Sequence, residues 1–156
     1  MRSNLRCTVF NMGARFLVVA ALLLMGLQPA AAVPPVNADS GVAIKGFDPV
    51  AYFTAGKPVP GNSTHSHDWM GAKWQFSSDD HKQRFIANPE KYAPRYGGYC
   101  AYAVSQGITA DIDPDAWKIV DGKLYLNLSP GVADIWYKDI PGYIALANEN
   151  WPKLRD

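Results

Sequence analysis

The opening segment decides how much of this chain is left to fold. Arg2, Arg6 and Arg15 precede the apolar run from Phe16 to Leu27, and the small residues Ala30, Ala31 and Ala32 follow. Basic, apolar and small in that order is the pattern of a cleavable secretory signal. The apolar run holds 12 residues, short of the roughly 18 to 20 that a membrane-spanning helix needs. We therefore expect residues 1–32 to act as a signal peptide cut after Ala32, leaving no membrane span. Cys7 lies before the apolar run, not just after it as in a lipoprotein, and Arg2 and Arg6 are not the adjacent pair of a twin-arginine signal. The expected destination is the periplasm or the exterior, by general secretion.

Cleavage there leaves 124 residues carrying 12 basic and 14 acidic side chains. That length supports one domain with a real core but hardly two. With no basic run to neutralise phosphates, nucleic acid is not an expected partner. Cys7 departs with the signal, so Cys100 is the one remaining thiol and no internal disulfide can form. A lone thiol in an oxidising compartment is a ligand, a reactive group or simply a small buried residue.

Residues 33–41, with two prolines and mostly small side chains, read as a flexible leader, and order is expected from Val42 onward through 156. Asp48-Pro49 places a capping residue and a proline at the start of a short helix through Ala51, Tyr52 and Phe53, which Gly56 would stop. Lys57 to Thr64 reads as a loop, and His65 to Phe76 as a hairpin around Met70-Gly71-Ala72 with Trp69, Trp74 and Phe76 as its apolar surface. Ser78 caps a helix containing Phe85, which Asn88-Pro89 ends. Asp113-Pro114 reads as a helical turn, and Asp121-Gly122 as the turn of a second hairpin. Two short helices follow, over about 132–137 and 142–148, ending before Trp151-Pro152. Short strands mixed with short helices, without regular βαβ alternation, predict a small single α+β domain with short antiparallel hairpins and several short helices.

The combination Gly46-Phe47-Asp48-Pro49-Val50, Trp74-Gln75-Phe76-Ser77-Ser78, Phe85 to Tyr92 and Tyr96-Gly97-Gly98-Tyr99-Cys100-Ala101 resembles the YHS domain. That short module also occurs in some copper-transporting ATPases and phenol hydroxylases and is linked to metal binding. The rest, including Asp113 to Trp117, Asp121 to Asn127 and Asn150-Trp151-Pro152, is similar to a secreted bacterial branch of that family. The resemblance implies a non-enzymatic module handling copper or zinc. Metal-type members carry cysteines where this chain has Ala51, Ser77 and His81, so the thiolate site is lost as such. The donors left to rebuild one are Cys100, His81, His65, His67 and Met70, a soft and borderline set suited to copper or zinc.

A second reading keeps the fold without the metal. Here Tyr96, Gly97, Gly98, Tyr99 and Tyr102, with Trp69, Trp74, Trp117 and Trp136, would form a site for a small ligand or a protein partner, although aromatics at such spacing also make cores. Gly97-Gly98 would either offer backbone N–H groups to a ligand or permit close packing. A third reading makes Cys100 a catalytic thiol with His81 as its base. Only Arg95 stands near it as a cation in the sequence, so no enzyme activity is expected.

Overall fold

Local rules account for most of the turns and caps in the chain. The computed structural model describes residues 32–156, which form one unit, and the segment read as a signal peptide lies outside the described residues but for Ala32. Strands β1 (Ala38–Asp39) and β2 (Val42–Ala43) precede the short helix α1 (Ala51–Thr54). The hairpin β3 (Asn62–Trp69) and β4 (Ala72–Phe76) follows, then α2 (Asp79–Ala87), α3 (Pro89–Tyr92) and α4 (Ala101–Ser105). A second hairpin, β5 (Asp113–Val120) and β6 (Lys123–Asn127), leads into α5 (Pro130–Trp136) and α6 (Ile140–Arg155). This is the expected α+β architecture. One sheet has the order β1-β2-β4-β3, with β2 and β4 parallel, and β5-β6 forms a separate two-stranded sheet. Among the described residues no helix is long and apolar enough to cross a membrane.

The first hairpin buries Trp74 and Phe76 on alternate positions of β4, and both pack on Phe85 from α2 with ring centroids 5.1 and 5.2 Å away. Ser78 caps α2 as expected, its Oγ accepting from the His81 N–H at 3.2 Å. Asp121-Gly122 turns the second hairpin with φ of 48° and 70°, the left-handed pair a two-residue turn demands. A second cluster joins Tyr96, Val104, Tyr125 and Trp136 to Ala147 of α6.

Three expectations are corrected. Residues 33–41 do not form a mobile leader, because they pack as a strap. The Val33 N–H donates to the Leu154 carbonyl at 2.9 Å, Val36 is buried, and Asn37 donates to Gly97 and Gly98 carbonyls at 2.9 and 3.2 Å. Gly97-Gly98 makes this possible: a Cβ on Gly97 would collide with the Pro35 carbonyl, and one on Gly98 would meet the Ile44 side chain at 2.5 Å. Both glycines also have positive φ, which most residues adopt only at a cost. Close packing is therefore their first role.

Asp113-Pro114 begins a strand instead of a helical turn. Asp113 Oδ1 accepts from the Asp115 N–H at 2.9 Å, and the register of β5 on β6 shifts between Asp113 and Trp117, a bulge that absorbs the proline. Finally, α6 runs through Pro152 instead of stopping before it. Trp151 stacks on Tyr96 and Tyr99 at centroid distances of 6.1 and 5.9 Å, and that tertiary packing outweighs one missing backbone donor near the end of the helix.

Candidate functional site

Ala51, Ser77 and His81, the positions at which the resemblance leads one to expect thiols, all converge on one side chain. Asp48 is fully buried, and its Oδ1 accepts from the Val50 and Ala51 N–H groups at 2.9 and 3.3 Å. Its Oδ2 accepts from the Ser77 N–H at 2.9 Å, the Ser77 hydroxyl at 2.6 Å and His81 Nδ1 at 2.6 Å. A carboxylate offers only acceptors, so the ring proton of His81 sits on Nδ1. Nε2 then faces the Thr54 hydroxyl at 3.2 Å, and that hydroxyl also lies 3.2 Å from the Val50 carbonyl. Asp48 thus ties α1 to the junction of β4 and α2. The sequence identified Asp48 only as a helix cap and missed its pairing with His81, 33 residues away.

The other expected donors are elsewhere. Cys100 is buried, in the first core cluster, at the start of α4. Its thiol approaches Asn127 Oδ1 at 3.7 Å, its sulfur accepts from the Ala103 N–H at 3.5 Å, and no hydrogen bond joins it to an imidazole among the described residues. His65 and His67 are half-buried on β3, whose other long side forms the open edge of its sheet. Among the described residues no group of three or more His, Cys, Asp or Glu side chains is placed to hold a metal ion. The donor set around Asp48 is one imidazole, with Nδ1 against the carboxylate and Nε2 3.2 Å from a Thr54 hydroxyl that donates to the Val50 carbonyl. These residues do not fit the thiolate-type site, nor do they rebuild it around Cys100.

The aromatic site is partly realised, in a different place. A cleft of about 380 Å³ opens between the strap, the β3-β4 turn and the end of α6. Tyr96 and Gly97 reach it, whereas Gly98 is buried under Ile44, Tyr99 leans on Trp151, and Tyr102 packs edge-on against Tyr143 at 5.2 Å. Its apolar wall comes from Trp69, Trp74 and Trp151, and its charged rim from Arg95, Lys123, Arg155 and Glu90. The sequence missed Trp151, Lys123 and Arg155 because the strap, the second hairpin and α6 meet only in the folded chain.

Tyr96 is the fixed point of that wall. Its backbone is left-handed, with φ of 55°, and its hydroxyl donates to Asn148 Oδ1 at 3.0 Å, with the Ile144 carbonyl at 3.4 Å. Burial pushes the phenol well above its ordinary value near 10, Tyr125 adds to the rise, and Arg95 opposes it. Tyr52 is raised by burial first and then by Asp115, Asp113 and Asp48. A raised folded value means that the stability contributed is complete below about pH 10 and is lost as pH climbs through the folded values. In an alkaline titration followed by tyrosinate absorbance, Tyr52 and Tyr96 are expected to remain silent until the protein unfolds. Ionisation of all tyrosines in one step with folding intact would refute this.

The YHS domain model matches residues 50–96, from just before α1 to Tyr96. The match covers less than a third of the 156-residue chain, encloses Ala51, Ser77 and His81 and ends at the cleft. No curated protein and no solved structure gives a significant match to the chain.

Proposed function

We propose that this chain is an exported YHS-domain protein that binds a small molecule in the cleft beside Tyr96, without a metal and without catalysing a reaction. The observation that supports it most is the cleft itself: aromatic walls and charged groups converge there, while the positions of the family's thiolates hold a single imidazole whose Nδ1 is engaged by Asp48. Export by a signal peptide, of the kind carried by a secreted bacterial branch of the family, accounts for the order of residue types over 1–32.

Metal handling, the activity generally linked to YHS domains, is the second reading. It is favoured by the Asp48–His81 contact, since a carboxylate behind an imidazole is the usual outer support of a metal ligand. One experiment separates the two. The untagged protein, purified from its own compartment, is analysed by native mass spectrometry and for metal content beside His81→Ala and Cys100→Ser. A small-molecule adduct on a protein beginning at Val33, with only trace metal, is the expected result. Stoichiometric copper or zinc that is lost in either variant would overturn the small-molecule reading and establish the metal one.

A further inference from the structure

The rim of the cleft carries more than its share of positive charge. Residues 33–156 have 12 basic and 14 acidic side chains, yet the rim gathers Arg95, Lys123 and Arg155 against Glu90 alone. None of these three cations is in an ion pair among the described residues; the pairs present join Lys45 to Asp111, Lys73 to Asp68, His81 to Asp48 and Arg84 to Asp80. Two of the three are instead laid on aromatic rings, Arg95 over Tyr96 and Arg155 over Trp151, each 5.8 Å from the ring centroid. Stacking of this kind holds a guanidinium plane while leaving its N–H edge available for a planar anion.

From this arrangement we infer that the cleft takes a compact monoanion built on a flat unsaturated body, an aromatic carboxylate or its sulfonate equivalent. This rests on the reading of the cleft as a ligand site and specifies its chemistry. The volume of about 380 Å³ lies at the small end of the roughly 300 to 1,000 Å³ usual for ligand pockets, which limits the body to a few fused rings. Trp69 and Trp151 supply faces for it to lie against, and Trp74 closes the floor, being fully buried. Arg95 and Arg155 would receive the anionic group through paired N–H donors, the geometry a guanidinium offers a carboxylate. Glu90 on the same rim disfavours a second negative charge.

The test uses calorimetric titration of the purified protein with 2-naphthoate, with the neutral 2-naphthamide, and with the cation 2-naphthylmethylammonium. Naphthoate should bind about tenfold tighter than the amide, as expected when a charge-assisted hydrogen bond replaces a neutral one, and the cation should bind weakest. In the double variant Arg95→Gln/Arg155→Gln, whose altered positions are exposed and should not disturb folding, naphthoate should fall to the level of the amide, with the affinity of the amide unchanged. Equal binding of acid and amide to the wild-type protein would overturn the anion inference and leave the ligand site standing. Absence of binding by all three probes would overturn both.

Discussion

Asp48→Ala is expected to destabilise the protein by about 3–5 kcal/mol, because it leaves several buried hydrogen-bond donors without an acceptor at once. The reason lies in how many groups that carboxylate serves. The Val50, Ala51 and Ser77 N–H groups, the Ser77 hydroxyl and the His81 ring all donate to it. Deletion strands these donors next to a cavity that opens little to water, and each unsatisfied buried donor costs roughly 1–3 kcal/mol. Asp48→Asn should also be costly, since its amide N–H₂ would face donors where an acceptor is needed. By contrast, His81→Ala should cost only about 1–2 kcal/mol, because its ring is near the surface and the carboxylate keeps its other donors. Chemical denaturation monitored by tryptophan fluorescence would measure all three. A loss below about 1 kcal/mol for Asp48→Ala would show that the surrounding donors find new partners.

Phe85→Ala should be of similar size, about 3–5 kcal/mol, as for other large-to-small changes of a buried aromatic. Phe85 sits at the centre of the aromatic group, with ring centroids of Trp69, Trp74 and Phe76 at 5.6, 5.1 and 5.2 Å. No solvent reaches it. The cavity left behind would undercut Trp69 and Trp74, which form one wall of the cleft, so weaker binding of naphthoate should accompany the drop in stability. Equilibrium unfolding gives the first quantity and calorimetry the second. If Phe85→Ala left the unfolding midpoint within experimental scatter of the wild type, helix α2 would not be anchored to the sheet in the way described.

What the sequence made legible was whatever is encoded within a few residues. Ser78 before α2, Asn88-Pro89 at the end of α2, and Asp121-Gly122 in the second hairpin are local signals, and each of these elements appears where they place it. The misread segments share a different property, since their conformation is fixed by residues far away. The strap looks like a leader from its prolines and small side chains, but Gly97 and Gly98 accept its backbone at a distance of about sixty residues. Pro152 looks like a stop until Trp151 is seen to stack on Tyr96 and Tyr99. The same limit applies to the site. Tyr96, Gly97, Trp69 and Trp74 were visible as candidates, whereas Trp151, Arg155 and Lys123, which complete the cleft, come from α6 and the second hairpin. Asp48 was readable as more than a cap only through Ala51, Ser77 and His81, which the fold gathers around it.

The strap and the last helix also share an edge, and this gives the cleft an unusual mechanical character. Pro35 and Val36 stand on one side of it, Trp151 and Arg155 on the other, and the Val33-to-Leu154 hydrogen bond joins the two a few residues away. Loosening either segment would open the same seam, so a ligand would enter or leave there while the aromatic group around Phe85 stays closed.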